Sequence, residues 1–191
     1  RGFEALTGCN LVEGYGLSET SPVATCNPLD VTREGSIGLP LPGTEISIRS
    51  LEDPAQEVAR GEPGEICIAG PQVMTGYWKK PEETEQAFTG RFFRTGDVGT
   101  MDEEGFVFIV DRIKDMIISG GENIYPAEIE DQLLAHPDIV ECAVIGVPDD
   151  KWGEAVKAVI ELKPGAQATE VEILKLCKER LGSVKCPKSA E

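Results

Sequence analysis

Residues 111–126 read Asp-Arg-Ile-Lys-Asp-Met-Ile-Ile-Ser-Gly-Gly-Glu-Asn-Ile-Tyr-Pro, and the character of the sequence changes at this stretch. Before it, short segments of alternating apolar and polar residues are separated by glycine and proline, which is typical of small β-units. After it, helix and strand patterns follow one another as in a compact α+β module. We therefore expect a boundary between two structural modules at residues 112–114.

Before the boundary, the sequence predicts several short strands and one helix. The polar residues 102–105, Asp-Glu-Glu-Gly, predict a hairpin turn between two of the strands. Pro81 stands in the first turn of a helix expected over residues 81–88, a position that proline tolerates. The predicted strands are residues 11–13, 45–49, 64–70, 98–101 and 106–110.

After the boundary, we expect a helix that begins at Pro126, with Ile129 and Leu133 on one face because they are four residues apart. Residues 139–147 and 155–162 are strand candidates. Thr169 and Glu172 have the spacing of a capping box at the start of a second helix. The apolar stripe predicted for that second helix consists of Val171, Leu174, Cys177 and Leu181.

The expected fold class is mixed α/β and β, in three parts. Residues 1–34 are interpreted as the end of a larger domain, residues 35–112 as a small, distorted β-barrel subdomain, and residues 113–191 as an α+β domain. The 191 residues begin with Arg1 rather than Met. We therefore expect the chain to be a fragment of a longer protein.

Composition excludes several classes of function. The chain has 18 Lys and Arg against 34 Asp and Glu, a net charge of −16, so nucleic-acid and anionic membrane partners are not expected. No apolar run approaches the roughly 20 residues of a membrane-spanning helix. The six cysteines form no C-x-x-C pair, so we interpret them as reduced thiols of a cytoplasmic protein. The one histidine, His136, is expected on the surface.

Residues 14–20, Gly-Tyr-Gly-Leu-Ser-Glu-Thr, suit a nucleoside triphosphate. Their glycines allow close backbone approach, Ser18 can bond a phosphate oxygen, Glu19 can hold Mg²⁺, and Tyr15 offers a flat face for a base. An ordinary turn remains open as the simpler interpretation. A dinucleotide fingerprint would need glycine in place of Glu19, and a serine-hydrolase elbow would need glycine in place of Thr20.

Four further features have two interpretations each. Asp97, in the sequence Thr-Gly-Asp of residues 95–97, can accept both ribose hydroxyls or can close a turn. Arg112 can reach the nucleotide or form a surface ion pair of small value. The glycines at residues 120–121 allow close approach of a ligand or form a simple hairpin, and Trp152 lines a ligand channel or caps the local core.

The order of these blocks resembles the adenylate-forming superfamily of acyl-CoA synthetases, luciferases and adenylation domains. The resemblance covers essentially the whole chain and is strongest to bacterial fatty-acid–CoA ligases. It implies the end of a large N-terminal domain followed by most of a mobile C-terminal domain. The matching blocks, in order, are residues 14–20, 62–65, 76–78, 95–97, 111–126 and 146–149.

The resemblance also implies a role for each candidate residue. Tyr15 would stack on adenine, Ser18 would contact phosphate, and Asp97 would hold the ribose. Glu19 would bind Mg²⁺, and Lys114 would be the hinge of the C-terminal domain; these two are the catalytic candidates. The remaining nucleotide-site residues would be Gly14, Gly16, Ile109 and Arg112. The residues along the path of coenzyme A would be Ser119, Gly120, Gly121 and Trp152.

The implied activity is a two-step ligation. With ATP and Mg²⁺, a carboxylic acid becomes an acyl-adenylate, and the thiol of coenzyme A then displaces AMP. The family's catalytic lysine lies in a glycine-lysine context near the C-terminus, beyond the end of this sequence, so Lys188 is not assigned that role and this piece alone is expected to be inactive. A medium- or long-chain fatty acid is the expected substrate. The alternatives are an aryl-acid–CoA ligase, a carrier-protein adenylation domain or a non-catalytic binding fragment.

Overall fold

The protein is described from a computed structural model that covers the backbone of residues 2–191 and all side chains except those of residues 2 and 5. Residue 1, which falls in the first predicted part, lies outside the described residues. The contacts within the chain divide it into two compact units, Arg1–Val110 and Asp111–Glu191. The three-part assignment of residues 1–34, 35–112 and 113–191 stays a prediction.

The first unit is an antiparallel sheet with two short helices. The strand order is β1-β2-β3-β8-β7-β5-β4, with β6 paired to β7. The helices are α1, Gly2–Thr7, and α2, Pro81–Gln86. The strands are β1, Gly14–Tyr15; β2, Thr25–Cys26; β3, Ser36–Pro40; β4, Glu45–Arg49; β5, Gly64–Ala69; β6, Phe88–Thr89; β7, Phe92–Met101; and β8, Val107–Arg112.

The core of the first unit comes from the alternating faces of these strands. Ile46 pairs across the ladder with Ile68, and Ile48 pairs with Ile66. All four side chains are buried. Cross-strand pairs of β-branched residues of this kind stabilise a half-buried sheet. The core therefore fixes β4 against β5, and β5 in turn pairs with β7.

Most of the elements predicted before the boundary are confirmed. The strands expected at residues 45–49 and 64–70, the helix at Pro81 and the hairpin at residues 102–105 all form. The hairpin turn is closed by Asp102, whose Oδ1 accepts hydrogen bonds from the backbone N–H groups of Glu104 and Phe106, both at 2.9 Å.

The strand predicted at residues 11–13 is wrong. Strand pairing begins at Gly14. Just before it, the backbone carbonyl of Glu13 accepts a hydrogen bond from the Asn27 N–H at 2.8 Å. The backbone N–H of Leu11 instead donates to the carboxylate of Glu4 on α1, at 3.1 Å. At Leu11, a hydrogen bond to the preceding helix thus takes the place of pairing with a strand.

The mixed α/β class is confirmed, whereas the barrel-like description stays a prediction. Within the described residues, the ladder runs as an open path from β1 to β4, and these two end strands are not paired with each other.

The second unit is a sheet of five strands packed against two helices. The strand order is β10-β9-β12-β11, and β13 pairs with β12 in the parallel sense. The strands are β9, Ile117–Ser119; β10, Glu122–Ile124; β11, Ile139–Asp149; β12, Gly153–Leu162; and β13, Ser189–Ala190. The helices are α3, Pro126–Leu134, and α4, Glu170–Lys185.

The predicted elements of the second unit form, with one correction. Helix α3 buries Ile129 and Leu133, and Thr169 and Glu172 make the capping box of α4. The predicted stripe of α4 is wrong at Val171, which is 74% exposed. Ile173 is buried in its place, because it lies four residues before the buried Cys177 and so shares its face.

Among the residues that the structure describes, no helix is both long and apolar enough to cross a membrane. All six cysteines are free thiols.

Candidate functional site

The glycine turn after β1 is a place of very close backbone approach. A Cβ built on Gly16 would lie 1.6 Å from the carbonyl oxygen of Pro22. The carbonyl of Tyr15, just before it, accepts a hydrogen bond from the Ala24 N–H at 2.8 Å. Gly16 is therefore required by the fold of this turn itself, whether or not a ligand also approaches it.

A buried hydroxyl organises the residues that follow. Ser18–Thr20 form a single 3₁₀ turn, in which the Thr20 side chain is fully buried. Its Oγ1 accepts from the Leu17 N–H at 2.9 Å and lies 2.9 Å from the Pro22 carbonyl, to which it donates. This arrangement leaves Ser18 exposed and Glu19 half-buried at the surface of the first unit.

Glu19 is held by a residue that the sequence prediction did not assign to the site. The Tyr77 hydroxyl donates to Glu19 Oε1 at 2.9 Å, and the Glu19 carbonyl accepts from the Met74 N–H at 2.8 Å. Partial desolvation, followed by the hydrogen bond and the charge of Glu19, raises the pKa of Tyr77. The sequence block of residues 76–78 was the one available signal for this contact.

The two residues assigned to adenine and ribose meet in the structure although they are 82 positions apart. The Tyr15 hydroxyl donates to Asp97 Oδ2 at 2.6 Å, a short bond of the charge-assisted type. Asp97 lies on β7, and Tyr15 ends β1. The bond restricts both the orientation of the phenol ring and the rotamer of the carboxylate.

The remaining nucleotide candidates are Gly14, Ile109 and Arg112. Gly14 begins β1 and pairs with Cys26, where an added Cβ would lie 3.2 Å from the Thr25 carbonyl. Ile109 is an exposed residue of β8. Arg112 is the last residue of β8 and belongs to the second unit, so its role at a nucleotide stays a prediction.

The hinge candidate Lys114 lies in an exposed 3₁₀ turn, Ile113–Asp115. Asp111, two residues before this turn, is anchored, since its Oδ2 accepts from the Ala127 N–H in the first turn of α3 at 3.0 Å. An aspartate at the start of a helix satisfies an otherwise unpaired amide and faces the positive end of the helix dipole. The turn is therefore tethered at its beginning, and the Lys114 side chain extends into solvent.

The glycine pair forms the hairpin turn that was one of its two interpretations. Gly120 and Gly121 join β9 to β10, with φ values of 63° and 86°. Two consecutive positive φ angles are the geometry of a type I′ turn, which glycine adopts without strain. Ser119, at the end of β9, is buried.

The tryptophan candidate lies directly against this turn. The Gly120 N–H donates to the Trp152 carbonyl at 2.8 Å, and a Cβ on Gly120 would be 2.8 Å from Trp152 Cε3. The indole is 40% exposed, with Lys151 Nζ at 4.5 Å and Lys188 Nζ at 5.6 Å from its ring centre. The second unit thus brings together the residues assigned to coenzyme A and adds two cations to them.

Glu19 is the one predicted metal ligand of the chain. Within the described part of the chain, no group of three or more His, Cys, Asp and Glu side chains is arranged to hold a metal ion. A Mg²⁺ ion that travels with a triphosphate needs only one or two protein carboxylates, because phosphate and water supply its other ligands. The half-buried carboxylate of Glu19 fits that requirement.

Comparison with known proteins gives matches along nearly the whole chain. The profile described as AMP-binding enzyme matches residues 1–78, and the profile described as AMP-binding enzyme C-terminal domain matches residues 128–191. The long-chain-fatty-acid–CoA ligase of Bacillus subtilis is 50% identical over 190 residues, covering 99% of this chain and 34% of that protein.

Two further matches are a relative whose name specifies another acid and a solved structure. The feruloyl-CoA synthase of an Amycolatopsis species is 46% identical over 187 residues, covering 96% of this chain and 38% of that protein. The crystal structure of ATP-bound MatB from Rhodopseudomonas palustris superposes with a TM-score of 0.91 at 42% identity, covering 98% of this chain and 37% of that one. The chain spans about a third of the length of the curated relatives that it matches.

Proposed function

The chain belongs to the AMP-binding enzyme family, and from that premise we propose that the whole protein is an ATP-dependent acid–CoA ligase. The observation that carries the proposal is the hydrogen bond between Tyr15 and Asp97. It brings an aromatic side chain that could stack on a base next to a carboxylate that could accept from ribose hydroxyls. Sequence similarity alone does not require these two side chains to meet.

The first unit would bind the nucleotide. Tyr15 would stack on adenine, while Asp97 accepts hydrogen bonds from the ribose hydroxyls. A carboxylate has about four lone-pair positions, so accepting from Tyr15 does not exhaust its capacity. Ser18 would contact a phosphate oxygen. Gly14, Gly16 and Ile109 would shape the pocket, and Arg112 would assist from the end of β8.

Glu19 would hold Mg²⁺ at the triphosphate. The ion supplies neutralisation of phosphate charge when it is bound. The contribution of this chain is to orient the Glu19 carboxylate, which the Tyr77 hydroxyl does at 2.9 Å. Ser18, the preceding residue, is exposed and its hydroxyl would donate to a phosphate oxygen.

The reaction would proceed in two steps. The carboxylate oxygen of the acid attacks the α-phosphorus of ATP, forming a mixed anhydride with AMP and releasing pyrophosphate. The thiol sulfur of coenzyme A then attacks the acyl carbon, and AMP leaves. Lys114 would be the hinge between the two steps, since one site has to serve two different partners. Ser119, Gly120, Gly121 and Trp152 would line the path of the thiol substrate.

We propose a medium- or long-chain fatty acid as the substrate, on the similarity to the Bacillus subtilis ligase. The similarity to a feruloyl-CoA synthase supports an aryl acid as the second candidate. The proposal includes the distorted β-barrel character of residues 35–112 and the mobility of residues 113–191. It also includes a cytoplasmic location, which the six free thiols support.

The proposal is tested by pyrophosphate release from the full-length protein with a panel of acids. Release with acids of medium or long chain, together with acyl-CoA formation, is the expected result. Release confined to aromatic acids would replace the substrate with an aryl acid. Transfer of the acyl group to a carrier protein but not to coenzyme A would favour an adenylation domain. Absence of any acid-dependent pyrophosphate release would favour a non-catalytic binding fragment.

A further inference from the structure

Glu65 is a buried carboxylate that no step of the proposed reaction uses. It lies on β5, in the sequence Glu-Pro-Gly-Glu of residues 62–65, and is only 2% exposed. An ionised carboxylate is costly to bury unless charge and hydrogen bonds compensate for the lost water. The groups that compensate for Glu65 therefore indicate what it does.

Both oxygens of Glu65 are used, and both contacts lead to the same segment of β7. Arg94 Nε donates to Glu65 Oε2 at 2.8 Å, and the backbone N–H of Gly96 donates to Glu65 Oε1 at 3.1 Å. The carboxylate thus spans the two residues on either side of Thr95. The next residue after Gly96 is Asp97, the proposed acceptor of the ribose hydroxyls.

The same segment has a second tie to β5. Thr95 Oγ1 donates to the Ile66 carbonyl at 2.8 Å and accepts from the Asp97 N–H at 3.1 Å. Gly96 has a φ of 77°, a conformation that residues other than glycine adopt at a cost. Because of this φ angle, the Gly96 N–H reaches the Glu65 carboxylate. In a regular strand, the N–H would instead point toward the neighbouring strand.

We propose that Glu65 is a positioning residue for the nucleotide: it fixes the peptide before Asp97, so that the Asp97 carboxylate faces both Tyr15 and the ribose. The inference rests on the proposed function, since it assumes that Asp97 binds the ribose. Glu65 itself touches no substrate. Its effect passes through the Gly96 N–H to the backbone of Asp97.

A purely structural role for the Glu65–Arg94 pair makes a different prediction. If the pair only stabilises the sheet, its removal lowers the stability of the first unit and leaves nucleotide selectivity unchanged. If Glu65 positions Asp97, its removal also weakens the preference for a nucleotide with both ribose hydroxyls. Selectivity for ATP over 2′-deoxy-ATP separates these two roles.

The experiment measures binding of ATP and 2′-deoxy-ATP to the full-length protein by calorimetry. The wild type should prefer ATP by about tenfold or more, the expected value of a hydrogen bond to a charged group. Asp97→Asn should lose most of this preference. Glu65→Gln, with Asp97 intact, should lose the preference for ATP as well. The amide has one oxygen and one NH₂ group, so it cannot accept hydrogen bonds from both Arg94 and Gly96.

Two further variants complete the design. Glu65→Asp keeps the charge that faces Arg94 but is one methylene shorter, so it cannot reach both donors and should lose part of the preference. This variant decides the question if Glu65→Gln does not fold. Glu45→Gln, the same substitution at an exposed residue of the neighbouring strand that pairs with Arg91, should leave the preference unchanged.

Each outcome has a defined meaning. A wild-type protein without any preference for ATP would overturn the ribose assignment and the positioning role together. A preference that disappears in Asp97→Asn but persists in folded Glu65→Gln and Glu65→Asp would overturn the positioning role alone. Loss of the preference in the Glu65 variants, with Glu45→Gln unaffected, is the expected result.

Discussion

The proposed nucleotide residues of the first unit and the proposed hinge of the second are held in opposite ways. Asp97 is fixed by the Tyr15 hydroxyl and by the Thr95 side chain, and its neighbour Gly96 is bonded to a buried carboxylate. Lys114 lies in an exposed turn that is anchored at Asp111. We propose that the first arrangement preorganises a binding site, whereas the second would let the backbone change its dihedral angles.

Under the proposed function, the two regions would have different tasks. A residue that binds the ribose gains affinity when its position is fixed before the ligand arrives. A hinge residue has to adopt two backbone conformations and therefore gains nothing from packing. Changes in the first region should accordingly impair both half-reactions, while changes at the hinge should impair one of them.

The largest effect is expected for Asp97→Ala. The variant loses two hydrogen bonds from ribose to a charged acceptor, so kcat/KM for ATP should fall by about 100-fold or more, given about 1.5–3 kcal/mol for each bond. Acid-dependent pyrophosphate release measures this effect. Asp30→Ala, at an exposed aspartate of the same unit, serves as the control and should match the wild type. An Asp97→Ala variant with the activity of the wild type would contradict the proposed role of Asp97 at the ribose.

The second prediction contrasts one glycine from each region. In Gly16→Ala, the new Cβ meets a backbone oxygen at 1.6 Å, so the turn has to shift at a cost of up to about 3 kcal/mol. In Gly121→Ala, the φ of 86° is strained but the space around it is open, so we expect about 1–2 kcal/mol. Denaturant unfolding measures both changes. Equal costs at the two positions would contradict the close approach at Gly16.

The third prediction concerns Lys114→Pro, which fixes φ near −65° at the hinge. We expect thioester formation from a preformed acyl-adenylate to slow by about tenfold or more, equivalent to at least about 1.4 kcal/mol in the barrier. Pyrophosphate release in the first step should change much less. Lys114→Ala, which removes the side chain but not the backbone freedom, is the matched variant. If proline slows both steps equally, Lys114 is not a hinge.

The smallest effect is expected for Trp152→Ala. Loss of an aromatic platform flanked by Lys151 and Lys188 should raise the KM for coenzyme A by about tenfold, since stacking on a base contributes about 1–3 kcal/mol. The KM for ATP should stay the same. Trp78→Ala removes the other tryptophan, which is 85% exposed, and should leave the KM for coenzyme A unaffected.

Local patterns predicted the elements of both units well. Period-two alternation located β4 and β5, and the spacing of Ile129 and Leu133 located the buried face of α3. The prediction failed where the choice depended on a residue outside the segment itself. Leu11 bonds to Glu4 rather than to a strand, and Ile173 rather than Val171 faces the core. Neither choice is visible in the pattern of one short segment.

The sequence proposed the candidate site as a set of residues but not the hydrogen bonds among them. The sequence blocks named Tyr15, Asp97 and Glu19 as candidates without their bonds, because these bonds join residues 82 and 58 positions apart that only the folded chain brings together. Tyr77 and Glu65 were part of the matching blocks yet were given no role. Their contacts depend on burial and on the left-handed backbone at Gly96, which composition and spacing do not reveal.

A crystal structure of the full-length protein with AMP tests the central claim most directly. We expect the ribose hydroxyls within about 3 Å of the Asp97 carboxylate, the distance of a charge-assisted hydrogen bond, and the adenine ring against the face of Tyr15. AMP bound elsewhere, with Tyr15 and Asp97 bonded only to each other, would contradict the account.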